Sequence, residues 1–154
     1  MRASVEDRTE EAERLIGAAL PAGWPDPELR PVFEAWLAVI ARKPDTALWF
    51  GRAMIRLSNG AYIGNIGFHG RPDADGRVEM GYEVESPYHR QGYATEAARA
   101  LMDWARTQHG VRRFMLSIAP ANVASLGMAA KLGFRRTGTR IDEVDDEEGV
   151  FELG

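Results

Sequence analysis

Cysteine is absent from the 154 residues, which excludes a disulfide framework, a thiolate nucleophile and a cysteine-based zinc site. Histidine is scarce. His69, His89 and His109 are the whole supply, too scattered to suggest a metal centre, so no metal is expected. No apolar run approaches the roughly 18 residues that span a bilayer, and the opening Met1-Arg-Ala-Ser-Val-Glu-Asp7 lacks the apolar stretch of a secretion signal. A cytoplasmic protein without a membrane partner is expected. Neither sign of charge dominates: the net charge of −4 argues against nucleic acid as partner and suits a cationic acceptor such as an amine. Two phosphate fingerprints are also missing, G-x-x-x-x-G-K-[ST] and G-x-G-x-x-G, which sets aside nucleoside triphosphates and nicotinamide dinucleotides.

What is present is the composition of an ordinary globular chain, 45% hydrophobic and 27% charged, long enough for one domain spanning 1–154 with its own core. Ser4 and Asp7 read as a capping box ahead of Ala12, Leu15, Ile16 and Ala19, an amphipathic helix. Three prolines make 20–27 a loop. Leu29, Val32, Phe33, Trp36, Leu37 and Ile40 then fall on one helical stripe, stopped by Pro44. From residue 46 the period changes to two. Strands are expected over 46–57 and 61–68 around Asn59-Gly60, and over 78–85, where Val78, Met80, Tyr82 and Val84 alternate with Glu79, Gly81, Glu83 and Glu85. A helix over 93–108, a buried strand over 114–119 and a helix over 123–132 follow, the last with Asn122 as N-cap and Gly133 past its end. Segments 134–140 and 150–153 would close the sheet as a hairpin around an acidic run, 142–148, read as a solvated loop. The fold class is α+β, a mostly antiparallel sheet with helices on both faces.

The most informative stretch is Tyr88-His-Arg-Gln-Gly-Tyr-Ala-Thr-Glu-Ala97, which joins a strand to a helix through Gly92. A helix N-terminus leaves backbone N–H groups unpaired and carries partial positive charge. It is therefore a natural site for a phosphate or pyrophosphate, and Gly92, without a Cβ, lets the backbone approach one closely.

Gly81-Tyr-Glu-Val84, Gly92-Tyr-Ala-Thr-Glu-Ala97, and Asn122 and Ser125 followed by Lys131-Leu-Gly-Phe134 resemble the motifs of the GNAT superfamily of acetyl-CoA-dependent N-acetyltransferases, in order and on the expected elements. The likeness runs from about Tyr62 to Leu153, and is strongest to the branch that acetylates ribosomal-protein N-termini. It departs at His89 and Arg90, where Arg or Gln and then Gly are usual, at the displaced Pro87, and at Ala129, where many members carry a tyrosine acid. Relatives also begin with a strand where this chain has helices.

The resemblance implies acetyl-CoA as co-substrate. Its pyrophosphate would lie on the amides of His89, Arg90, Gln91, Gly92, Tyr93, Ala94 and Thr95, with charge from Arg90. Its pantetheine arm would pair with the Val84 backbone and face Asn122, unless Asn122 is only a cap. The acceptor would be a small-molecule amine or a protein N-terminus, attacking directly in a ternary complex; relatives often form homodimers. The other reading is a CoA-binding sensor or interaction module without turnover. Attack requires a neutral amine, and carboxylates inside a covered strand are costly unless paired or in a wet cleft. Glu83 and Glu79 are therefore the candidate bases, Glu83 first, the alternative being ion pairs with Arg52, Arg56 or Arg99. Ser125 is the candidate acid for the departing sulfur, unless its hydroxyl bonds backbone; Tyr82 and Tyr93 are weaker rivals. An acceptor pocket between the N-terminal helices and the sheet could be lined by Trp24, Trp36, Trp49, Phe68 and His69, each of which could equally be core.

Overall fold

The computed structural model describes residues 1–27, 29–142 and 146–154. Three helices come first: α1 (Arg2–Val5), α2 (Thr9–Ile16) and α3 (Leu29–Arg42). Six strands and two helices follow: β1 (Arg52–Arg56), β2 (Ala61–Phe68), β3 (Arg77–Val84), α4 (Tyr93–His109), β4 (Arg113–Ile118), α5 (Val123–Leu132), β5 (Arg135–Asp142) and β6 (Asp146–Leu153). The strands form one sheet in the order β1-β2-β3-β4-β6-β5, antiparallel throughout except where β3 meets β4. The expected α+β architecture is the observed one.

Helices α4 and α5 bury their small and aliphatic stripe (Ala98, Leu101, Met102, Ala105, Met128, Ala129) on one face of the sheet, against Ile66, Phe68, Val78, Met80, Phe114 and Leu116. Trp49, Phe68, Trp104 and His109 close this core as an aromatic cluster. The opposite face carries α3, through Trp24 on Phe33 and Tyr62 and through Trp36 stacked on Phe50.

Four local expectations are corrected. Residues 44–48 form a 3-10 turn and the strand begins only at Arg52, because Pro44 opens a helical turn and Trp49 and Phe50 plunge into the core instead of alternating. Ser4 lies inside α1, buried, and the helix that carries Ala12 starts at Thr9 without a side-chain cap. Leu15 points outward at 70% exposure. The acidic run is not all solvated loop, since β6 starts at Asp146 and Glu148 is buried; positions 143–145 of that run lie outside the described residues.

One irregularity opens the sheet. β3 and β4 pair for three positions only, Arg77 with Arg113, Val78 with Phe114 and Glu79 with Met115. Beyond Glu79 the two strands part, while β3 continues to pair with β2 as far as Val84.

Candidate active site

The parting of β3 and β4 leaves a cleft of about 180 Å³ through the middle of the sheet. Odd-numbered residues of β3 bond towards β2: the Glu79 carbonyl accepts from His69 N–H, and past the strand end Glu85 N–H donates to Ile63. Alternation then turns the backbone groups of Met80, Tyr82 and Val84 towards the gap, as an open strand edge. Such an edge accepts an extended, amide-bearing ligand.

At the far end of that edge lies the turn into α4. Gly92 is the N-cap of α4 at φ +89°, with no side-chain cap and open space where a Cβ would stand. The first N–H groups of the 17-residue helix are therefore left for a ligand. Arg90 also adopts positive φ, +59°, which a non-glycine residue takes at a cost. Its exposed guanidinium makes no ion pair among the described residues. Gln91 ties the turn together by donating to the Pro87 carbonyl at 3.0 Å. His89 turns back on the strand, its Nε2 2.6 Å from the Val84 carbonyl. That carbonyl is thus engaged by the chain itself, and only displacement of the imidazole would free it for a ligand.

The two faces of the cleft differ in chemistry. On the helical face the Tyr82 hydroxyl donates to Ser125 Oγ at 2.7 Å, which leaves the serine proton free to be given on. Burial raises the Tyr82 pKa against the opposing bond to Ser125, so the phenol stays protonated at neutral pH. Asn122 caps α5, its Oδ1 accepting from Ser125 N–H at 3.0 Å, and this cap holds the serine at the mouth of the gap. The cap is formed, and Asn122 lines the cleft as well. Ala129, one turn on, is fully buried and offers no hydroxyl.

On the other face stands a charge cluster. Arg140 Nη1 donates to Glu79 Oε2 at 3.0 Å and lies 2.9 Å from Oε1, while its Nε donates to Glu148 Oε2 at 2.8 Å. His69 Nδ1 is 3.7 Å from Glu79 Oε1. Burial pushes the Glu79 carboxyl up, but His69, the Ser117 hydroxyl and Arg140 outweigh it and hold its pKa at about 2. Ser117 Oγ is buried in the cleft wall beside this carboxylate.

The structure thus gathers Glu79, Tyr82, Asn122 and Ser125 around one cleft, with His69 added. Glu83 lies on the exposed face of β3, where Asn65 Nδ2 approaches its carboxylate at 3.4 Å, and it does not line the gap. Tyr93 packs edge-on against Tyr88 behind the turn. Of the aromatic residues weighed for the acceptor pocket, Trp49 and Phe68 are core, Trp24 packs on Phe33 of α3, and Trp36, itself in α3, stacks on Phe50. Glu79 is ion-paired, but with Arg140 and not with Arg52, Arg56 or Arg99. Arg140 and Glu148 escaped the sequence reading. Their one signal was position, as opposite charges equidistant from a hairpin centre, and they are direct cross-strand partners.

Comparison with known proteins bears on the family and the fold. The family profile of the Acetyltransferase (GNAT) domain matches residues 7–135. The uncharacterized N-acetyltransferase YjdG of Bacillus subtilis is 26% identical over 124 residues, 80% of this chain and 74% of that one. The chain spans less than half the length of three further Bacillus relatives it matches. Among solved structures, ribosomal-protein-S5-alanine acetyltransferase from Vibrio fischeri superposes with a TM-score of 0.65 at 17% identity, covering 97% of this chain and 84% of that one. A spermidine N-acetyltransferase SpeG chimera from Vibrio cholerae and hSSAT gives 0.68 at 11% identity, with 99% and 91% covered. With the profile running from the N-terminal helices to the start of β5, the chain belongs to the GNAT acetyltransferase family.

Proposed function

We propose that the chain moves an acetyl group from acetyl-CoA to a primary amine, by direct attack while both are bound. The observation that carries this reading is the cleft itself: a gap in the sheet with hydroxyl donors on one face and a carboxylate-rich cluster on the other. When bound, acetyl-CoA supplies an acyl group already activated as a thioester. Its pyrophosphate fits the uncapped start of α4, with backbone amides from Arg90 to Thr95 and charge from Arg90, the His89 N–H being spent on the Ser86 carbonyl. Its extended arm fits the open edge of Met80 and Tyr82, and would reach the Val84 carbonyl only by displacing the His89 imidazole.

Ser125 holds a transferable proton at the cleft mouth, and Tyr82 backs it with a second. A thiolate leaves readily, so this pair needs to supply only a modest push. Across the gap, two carboxylates share one guanidinium, which leaves a negative excess that attracts an ammonium-bearing acceptor. The solved neighbours bracket the acceptor classes to try: a protein N-terminus beginning with alanine, and spermidine.

The test is release of CoA thiol from acetyl-CoA, followed with a thiol reagent that meets no cysteine in this protein. Incubation with spermidine, and separately with a peptide beginning with alanine, should release thiol with at least one of them, with the acetylated amine detected by mass. Tight acetyl-CoA binding with no turnover of either amine would point instead to a sensor.

A further inference from the structure

Resting on that reading, we infer that His69 is the base that takes the acceptor's proton, and that Glu79, Arg140 and Glu148 position it. The argument starts from which groups can reach the cleft. Glu83, on the same face of β3 two residues beyond Gly81, is exposed beside Asn65 and does not line the gap. Glu79 does line the gap, but Arg140 lies within 3.0 Å of both its oxygens. A carboxylate so held is a weak base at neutral pH, and an incoming ammonium would have to displace a guanidinium to use it.

His69 meets the remaining requirements. It follows the last residue of β2 and is fixed there by its backbone N–H to the Glu79 carbonyl, 2.9 Å. Its side chain is half exposed, so an acceptor can reach it. Nδ1 is the ring nitrogen turned to Glu79, at 3.7 Å, a loose approach of the kind that tightens when substrate binds. A proton on Nδ1 leaves the lone pair on Nε2. Nε2 in turn lies directly over Gly81: a Cβ at that position would come within 2.5 Å of it. Gly81 is thus the floor on which the imidazole rests, at the lip of the cleft. Tyr82 and Ser125 occupy the opposite face of the same strand.

This layout separates the two proton transfers. As the amine nitrogen bonds to the acetyl carbon and the carbon–sulfur bond breaks, the nitrogen gives a proton to His69 Nε2 on one face. The departing sulfur receives one from the Ser125–Tyr82 pair on the other. For an acceptor that arrives as an ammonium, one further proton passes to solvent. Charged groups facing the imidazole are Glu79 from β3, with Arg140 from β5 and Glu148 from β6 behind it. Together they carry one net negative charge, which accommodates the imidazolium formed in the step.

Two measurements test the assignment. First, nitrogen shifts of the His69 ring, assigned against a His69→Gln spectrum, should report the Nδ1–H tautomer in wild type and lose that preference in Glu79→Gln. A ring protonated on Nε2 in wild type would overturn the assignment without reference to turnover. Second, His69→Ala should lower kcat about 100-fold or more with the amine that wild type accepts. It should leave the acetyl-CoA Kd within twofold and recover part of kcat when free imidazole is added. Gly81→Ala, which forces the ring off the cleft, should lower kcat in the same way with the acetyl-CoA Kd kept. A His69→Ala rate within threefold of wild type would sink the base assignment while leaving the transferase reading intact. Silence of wild type towards both amines would remove the transferase reading and this assignment with it.

Discussion

At the scale of single residues, a strong electrostatic commitment among the described residues is Glu79. Its side chain is only 15% exposed and its pKa is held at about 2, below the ordinary value of 4.5. A carboxyl whose folded pKa is depressed stabilises the fold fully above its unfolded pKa and loses that contribution as pH falls through the folded one. The window is therefore from about 4.5 down to about 2. The shift corresponds to roughly 3 kcal/mol at pH 7. Glu79→Gln should lower unfolding free energy by about that amount at pH 7 and by less than half of it at pH 3, in urea titrations. An equal deficit at both pH values would mean that the charge is not what the site uses. The pairing was only half legible in the sequence. Alternation put Glu79 on the face of β3 opposite Met80, Tyr82 and Val84, but its partner stands 61 residues away, a distance across which no local pattern speaks.

At the scale of elements, the proposed ligand site is built where a strand ends and a helix begins. The turn from β3 to α4 was readable beforehand, because the demands on it are local: a residue free to adopt positive φ, then a helix without a side-chain cap. Gly92→Glu places a carboxylate where the anion would sit, on a backbone at φ +89°. Saturating acetyl-CoA at 100 times its Kd stabilises a protein by about 2.7 kcal/mol, several degrees in Tm for a domain of this size. Wild type should show that rise and Gly92→Glu should not. Equal shifts in both would detach the turn from the ligand. The first strand shows the opposite case. Periodicity over 46–57 suggested pairing, yet Trp49 and Phe50 were claimed by the core on both sides of the sheet and the strand shrank to Arg52–Arg56. Tertiary packing there outweighed the local pattern.

At the scale of the whole molecule, the sheet must be rigid where β3 and β4 still pair in order to stay open where they part. Phe114 sits at that junction, fully buried, stacked on Phe68 and under the Arg106 guanidinium. Phe114→Ala should cost about 3–5 kcal/mol, measured by urea unfolding, a large share of the 5–15 kcal/mol typical of a domain. A loss under 1 kcal/mol would show that the junction is not held by this ring. The sequence by itself determined the order and kind of most elements, the hairpin at Asn59-Gly60, the glycine turn into α4 and the family. Each of these rests on interactions between residues a few positions apart, or on motifs read along the chain. Only the tertiary structure decided that β4 leaves β3 after Glu79, and that Arg140 and Glu148 reach back to that carboxylate beside His69. Those contacts depend on strand order and on where pairing stops. Both are settled by packing of the entire sheet, and no stretch of sequence carries them alone.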